Sequence, residues 1–477
     1  MSKPGSSKVT PVMRQYLDAK ASVPDSILMF RMGDFYEMFF EDAVLASEIL
    51  EIALTSRDKN AENPIPMCGF PHHALNSYLS RLVESGKKIA LCEQVEDPAQ
   101  ARGIVKREIT RVITPGVILD PDNLDAGRNN YLAAVMFSMA GASLAFVDAS
   151  CGEFRGADIE DMSLLRGELT RIQPSELLVM EGSEDTLAPY VDVLAGATIT
   201  TVPEGSFSAN RGKLARLLPQ MENLSLSPDL SSVVSALVSY LRETQRGLLP
   251  ELAPFEEYHV KDFMVMDESA VVNLELFRTI MEGKVKGSFL WVMDKTLTPM
   301  GKRQLRKQIS YPLVATEPVE RRLDAVEDFH SNAMVRGEVR KKLSSVGDME
   351  RLLARIQSGQ SNARDILSLG KYLSLASEVQ TIISSLGSSL NRQISDSIAG
   401  LPGLYRKIID SIVEEPPVSM KDAGMFKAGI NGELDELREM ARGGRQWLAD
   451  YEVQLRTETK ISSLKLRYNK VFGYFIE

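Results

Sequence analysis

The spacing of apolar residues changes several times along the chain, and each change predicts a different kind of element. Over residues 10–21, Val12, Met13, Tyr16 and Leu17 recur at helical spacing, and Pro24-Asp25 closes the element. The continuous run Ile27, Leu28, Met29, Phe30 reads as a buried strand that ends at a Gly33-Asp34 turn. Asp42 is placed to cap the next helix, in which Ala43, Ala46, Ile49 and Leu50 share a face; residues 51–54 then read as extended, before a polar loop with Arg57 and Lys59. Pro64, Pro66, Gly69 and Pro71 impose irregular backbone, after which residues 74–85 predict an amphipathic helix ended by Gly86 and residues 88–95 a strand. The basic stretch ARGIVKREITRVITPGV completes a small mixed α/β unit over residues 10–117, behind a short flexible tail at 1–9.

Residues 118–130 include LDPDNLDAGRNN, which is polar, acidic and turn-rich and reads as a linker. Beyond it YLAAVMF, the turn MAGA and SLAFVDAS predict a hairpin, and CGEFRGADI predicts a third strand. A helix over 162–172, a strand over 176–180 and helical text around 230–244 make residues 131–255 a second α/β unit with a mixed sheet. From 256 to 457 strands nearly vanish. Helices are predicted over 270–281, 299–309, 318–329 and 333–343, with a long one over 431–457 interrupted by Gly443-Gly444. The period then returns to two over 464–476, with Asn469-Lys470 as a turn, so residues 458–477 read as the start of a β-rich element whose strands find their partners beyond Glu477. The fold class is therefore multidomain: α/β followed by all-α.

Composition narrows the function classes. The chain has 477 residues, 44% of them hydrophobic and 25% charged, and no apolar run approaching the roughly 18 residues a membrane span needs. Its net charge of −10 argues against indiscriminate binding to nucleic acid, so any DNA contact has to be local. Cys68, Cys92 and Cys151 are odd in number and contain no CxxC pair, which points to a reducing cytoplasm rather than a disulfide framework or a zinc site. The opening MSKPGSSKVT has the pattern of neither a secretory signal nor a transit peptide.

The stretch ILMFRMGDFYEMFF, residues 27–40, carries the first candidate chemistry. Five aromatics in fourteen residues are ordinarily core. An exposed aromatic beside a carboxylate, however, can enter between base steps from the minor groove and also hydrogen-bond a base. Lys106, Arg107 and Arg111 are candidates for phosphate contact, the competing reading being a solvated strand edge. Asp148, Glu153 and Asp158 suggest a two-metal nuclease if they converge. His72-His73, His259 and His330 are too dispersed for a metal site and read as structural. No GxxxxGK[ST] loop occurs: Gly283-Lys284 and Gly301-Lys302 lack its spacing and hydroxyl, so these residues are not expected to hydrolyse ATP.

Seven motifs in order, FRMGDFYEMFFEDA, IPMCGFPHHAL, CEQVEDP, ITRVITPGV, TPMGKRQLRKQISYPL, GDMERLLARI and YNKVFGYFIE, resemble the N-terminal portion of the MutS family of bacterial DNA mismatch repair proteins. Residues 181–255 carry no family signature, and AGINGELDEL departs from the family near Ile430, where an aromatic is usual. The resemblance implies a mismatch-binding domain, a connector of ribonuclease-H-like topology, a helical core and lever, and the start of a DNA clamp. It implies that Phe35 stacks at the mispaired base and Glu37 hydrogen-bonds it, with a raised pKa expected for Glu37 beside phosphates. Further DNA contacts are expected at Met32, Arg57, Lys106, Arg107, Arg111, Lys465, Arg467 and Lys470, while Tyr36 reads as packing. The implied partners are duplex DNA with mismatches, a second copy in a dimer, and the downstream repair protein MutL through the connector; a protein-docking role for that unit is an alternative to the nuclease. No cofactor is expected here. ATP and magnesium belong to a C-terminal ATPase domain which, with the rest of the clamp and the returning lever helix, is expected beyond Glu477. The implied location is cytoplasmic, at the nucleoid.

Overall fold

Strand β1 (Ser26–Met32) has its first five residues buried, because it lies at the centre of a sheet covered on both faces. The order of that six-stranded sheet is β3-β4-β2-β1-β5-β6, built from β2 (Phe35–Phe39), β3 (Thr55–Ser56), β4 (Pro66–Pro71), β5 (Lys88–Gln94) and β6 (Arg107–Ile113). Only the β1–β5 pair is parallel. On one face Ile27, Met29, Tyr36 and Met38 pack with Ala43, Ala46 and Leu50 of helix α2 (Phe40–Leu50) and with Leu79, Leu82 and Val83 of helix α3 (Leu75–Glu84). On the other, Leu28, Phe30 and Phe39 pack with Met13 and Tyr16 of helix α1 (Pro11–Ala21). The computed structural model describes residues 10–56, 64–96, 103–208, 211–221, 224–247, 249–420, 422–469 and 473–477.

Several sequence expectations are corrected in this unit. Asp42 does not cap α2, whose N-cap position is Phe39. Its carboxylate turns inward, where it accepts from the Leu28 amide at 2.9 Å, Tyr16 Oη at 3.4 Å and Lys20 Nζ at 2.8 Å. Residues 52–54 belong to no strand, and the extended piece is Thr55–Ser56. The helix expected from 74 begins instead as a 3-10 turn, His72–Ala74, before α3.

The second sheet runs β11-β10-β7-β8-β9-β12, from β7 (Leu132–Ser138), β8 (Gly141–Asp148), β9 (Glu153–Ile159), β10 (Glu176–Met180), β11 (Thr198–Val202) and β12 (Glu256–Glu257). β7, β8 and β9 are antiparallel neighbours, whereas β10 joins β7, and β11 joins β10, in parallel. The helix Pro228–Thr244 fills one face with Leu230, Val233, Val234, Leu237 and Leu241. Helix α4 (Met162–Ile172) covers the other with Leu165, Leu169 and Ile172. β11 and β12 had no sequence signal of their own: β11 is short, TITTV, and follows a run of turns, and β12 has only two residues.

Helices dominate from residue 268 on, so the chain is a mixed α/β and helical multidomain protein. The helix expected over 270–281 is only Glu268–Asn273, because Glu275 takes a left-handed φ of 48°. The glycine pair does not interrupt the long helix, which runs Gly432–Thr459. The final strands, β13 (Leu466–Asn469) and β14 (Gly473–Ile476), pair with each other in an antiparallel hairpin, so neither lacks a partner. The chain divides into two compact units, Met1–Ser361 with Leu375–Gly400, and Asn362–Ser374 with Leu401–Glu477. In the second, Ala363, Leu367 and Ile412 form a small core. Among the described residues no helix is long and apolar enough to cross a membrane.

Candidate nucleic-acid interface

The β1–β2 hairpin closes through Gly33-Asp34, between the paired residues Met32 and Phe35. Gly33 stands first in this two-residue loop with φ +60°, the arrangement whose twist matches antiparallel strands. The tip is tied down from the 3-10 turn that follows β4: the His72 amide donates to the Asp34 carbonyl at 2.8 Å, and the ring Nδ1 donates to the same oxygen at 3.2 Å. Phe35, just after the tip, is 47% exposed, whereas Tyr36, Met38 and Phe39 are buried. The aromatic side chain thus stands out from a hairpin whose neighbouring residues are anchored in the core.

Glu37 lies two residues on, on the same face, and is half-buried. Its pairing partner on β4 is Gly69. A Cβ there would stand 2.6 Å from the Tyr36 carbonyl oxygen and 3.4 Å from Glu37 Cγ, so only glycine leaves the backbone and this carboxylate undisturbed. Gly69→Ala is expected to cost about 1–3 kcal/mol of stability by overpacking, read as a lowered midpoint in urea denaturation. Met32 packs partly buried at the edge of the α1-side core.

The basic stretch divides between the two faces. Arg107 lies over the Phe30 ring at 5.2 Å and donates to the Arg31 carbonyl at 2.6 Å, to Gln15 Oε1 at 3.2 Å and to the Val105 carbonyl at 2.9 Å. Burial lowers its pKa while the charge of Glu37 works against that, so this arginine and the candidate carboxylate feel each other. Arg111 does not join them. It pairs with Leu91, on the α2/α3 side, and its charge is opposed by burial and favoured by Tyr36, Asp120 and Glu93. Lys106 is exposed and bonded to Glu108 at 2.6 Å, which holds its pKa up. Tyr36 is buried and donates its hydroxyl to Glu93.

In the second unit, Lys465 is exposed and pairs through its backbone with Glu477, while Arg467 meets the Glu477 carboxylate at 2.9 Å. Arg57 and Lys470 lie outside the described residues.

The nuclease reading is not favoured by the bonding of its carboxylates. Asp148 is fully buried and accepts from Asn129 Nδ2 at 3.0 Å, the Asn130 amide at 3.1 Å, the Ser150 amide at 2.9 Å and Ser150 Oγ at 2.6 Å. Glu153 accepts from Tyr131 Oη at 2.8 Å and Lys307 Nζ at 2.6 Å, and Asp158 accepts from Ser143. Asp148 and Glu153 are engaged by donors that a pair of metals would have to displace, and Asp158 is bonded to a different partner, Ser143. Among the described residues no three His, Cys, Asp or Glu side chains are placed to hold a metal ion. The cysteines are free, and burial pushes the thiols of Cys68 and Cys92 up to about 11 and about 12.

Three buried charged groups that no sequence signal singled out hold this assembly together. Arg351, 1% exposed, donates to the carbonyls of Asp125 at 2.8 Å and Arg128 at 2.6 Å, and Arg303 donates to that of Ala126 at 3.0 Å while pairing with Asp348. The acidic connection read as a linker is therefore clamped. Glu176 is wholly buried where the two sheets meet, accepting from Thr114 Oγ1, the Gly116 amide at 3.1 Å, Thr200 Oγ1 at 2.7 Å and Tyr240 Oη at 2.6 Å.

Comparison with known families decides the affiliation. Residues 10–122 match the model of MutS domain I, 130–253 that of MutS domain II and 269–469 that of MutS domain III. The chain belongs to the MutS family. It is 40% identical over 474 residues to the DNA mismatch repair protein MutS of Staphylococcus haemolyticus (strain JCSC1435), a match that covers 99% of this chain and 52% of the relative. The MutS proteins of Staphylococcus aureus strains JH9 and Newman are likewise 40% identical over 474 residues, with 99% of this chain and 53% of each relative covered. The chain thus spans about half the length of the curated relatives it matches. The domain I match contains the whole Phe35 hairpin and its sheet.

Proposed function

We propose that this chain recognises mispaired or unpaired bases in duplex DNA, with Phe35 as a wedge entering from the minor groove and Glu37 as the group that hydrogen-bonds the displaced base. The observation that carries this reading is the exposed Phe35 ring on a tied hairpin, with a carboxylate on the same face. A mismatch stacks poorly, so kinking it costs less than kinking a paired step, and the wedge reads deformability rather than sequence. Lys106, exposed, exchanges its Glu108 partner for a backbone phosphate; Arg107, held by protein acceptors, sets the field around Glu37; and Lys465 and Arg467 contact phosphates from the β13–β14 hairpin.

Glu37 acts as a protonated donor in the bound state, where phosphates and dehydration, both disfavouring its charge, outweigh the opposing field of Arg107. Electrophoretic mobility shifts on a G·T heteroduplex and its matched counterpart, at one fixed salt concentration, are expected to show tighter binding to the G·T duplex. Glu37→Gln should keep that affinity within about threefold, because the amide can donate as the protonated acid does. Equal affinity for the two duplexes refutes the recognition reading; a collapse with Glu37→Gln refutes the protonated donor alone.

The second sheet supports a ribonuclease-H-like connector, because three antiparallel strands flanked by two parallel ones on the β7 side give the order of that topology. In this reading it is a docking surface for the downstream protein MutL and has no catalytic role. Dimerisation and a place at the nucleoid belong to the same proposal, through family membership, and ATP turnover with magnesium is assigned to the intact protein and not to these 477 residues.

A further inference from the structure

A second feature lies well away from the hairpin tip. A cleft of about 520 Å³ opens between the end of α3, the connection 123–130, the loop 173–175 and Arg278. Helix α3 starts beside the His72 that ties the hairpin turn, and the cleft touches its other end at Glu84, so its ten residues set the two features about 15 Å apart along the axis. The volume falls in the ordinary range for small-molecule sites.

Among the described residues its arginines are not directly paired with its acids. Arg128 and Arg278 line the cleft, and Arg306 stands close enough for all three guanidiniums to repel one another. Their direct contacts are neutral: Arg128 donates to Gln173 Oε1 at 2.9 Å, Arg278 donates to the Gly283 carbonyl at 2.9 Å, and Arg306 stacks 4.4 Å from the Phe277 ring centroid. Among the described residues none of the three forms an ion pair, whereas the buried Arg155, Arg171 and Arg303 pair with Glu256, Glu168 and Asp348. Asp125 offsets the cluster at longer range, and Glu84 is the other acid in the wall. Burial and the charge of Arg128 push the Arg306 guanidinium down to about 10. Like charges gathered without a direct ion pair are costly, and a bound anion lowers that cost.

We propose that this cleft binds a small, multiply charged phosphate ligand, gripped by the Arg128 and Arg278 guanidiniums with Arg306 adding field from behind. Arginine suits phosphate because its planar fork donates two parallel hydrogen bonds. Asn130 and Ser175, which bond each other at 2.7 Å in the same wall, add polar surface for the rest of the ligand. The site is separate from the proposed mismatch contact, and its test is independent of DNA binding.

The test is isothermal titration of the full chain with inorganic pyrophosphate and, in a second arm, with AMP, in low-salt chloride buffer. At least one is expected to bind and to raise Tm, the tighter of the two showing whether phosphate alone or a nucleoside phosphate is preferred. Arg278→Gln and Arg128→Gln should each weaken binding at least tenfold with an unchanged circular dichroism spectrum. Arg278 is exposed, so its variant tests the site even if Arg128→Gln perturbs the connection. Arg392→Gln, at an exposed arginine outside the cleft, should leave binding unchanged. The proposal is overturned if neither probe binds, if Arg278→Gln binds as the parent does, or if Arg392→Gln weakens binding equally.

Discussion

Phe35→Ala is expected to abolish most discrimination between mismatched and matched duplex while leaving the fold intact. Stacking of an aromatic on a base is worth about 1–3 kcal/mol, so affinity for a G·T heteroduplex should fall roughly ten- to hundredfold. Affinity for matched DNA should change little, because a paired step resists the kink that would let the wedge in. Stability should stay within about 0.5 kcal/mol of the parent, since Phe35 is 47% exposed and lies outside both cores of its sheet. Competition mobility shifts with both duplexes, together with urea denaturation, check the two halves of this expectation. A variant that discriminates as well as the parent would move recognition to another residue.

Glu176→Ala should have the largest effect on stability, about 3–5 kcal/mol, seen as a much lower urea midpoint or as loss of soluble protein. The side chain is wholly buried and takes bonds from four donors, with Lys88 Nζ 3.9 Å away. Truncation would leave the Thr114, Thr200 and Tyr240 hydroxyls and the Gly116 amide without their acceptor. The position also admits no bulk on the facing chain: a Cβ on Gly116 would stand 2.8 Å from Glu176 Cβ. Because Thr114 and Gly116 follow the last strand of the first sheet while Thr200 and Tyr240 belong to the second sheet and its helix, the carboxylate ties the one sheet to the other. Glu176→Gln is expected to be milder, since the amide oxygen keeps part of the acceptor set.

Much of the local structure was legible because periodicity reports burial. Residues 162–172, 176–180 and 333–343 were expected as the elements Met162–Ile172, Glu176–Met180 and Ala333–Leu343, each with apolar positions at the right period. At Asp42 the reading failed because a nonlocal contact replaced a local rule. Asp42 has the composition of a cap, but a buried donor set on β1 and α1 claimed its oxygens. Gly443-Gly444 has the composition of a break, yet the helix runs through it.

The candidate site shows the same division. FYE at residues 35–37, with its turn glycine, could be picked out by eye, and alternation alone puts Phe35 and Glu37 on one face. The sequence by itself determined the elements, the hairpin tip and the family motifs, because these depend on neighbours a few residues apart. Only the tertiary structure decided that Arg107 shares the face of Glu37 while Arg111 does not, since the β5–β6 register shifts between Leu91 and Cys92. Only it could show Asp148 and Glu153 engaged by donors, the connection at 118–130 clamped by arginines more than 170 residues away, and Arg128 and Arg278 lining one cleft without, among the described residues, an ion pair. Those outcomes depend on which distant donors and acceptors the fold brings within hydrogen-bonding reach, and no period along the chain encodes that.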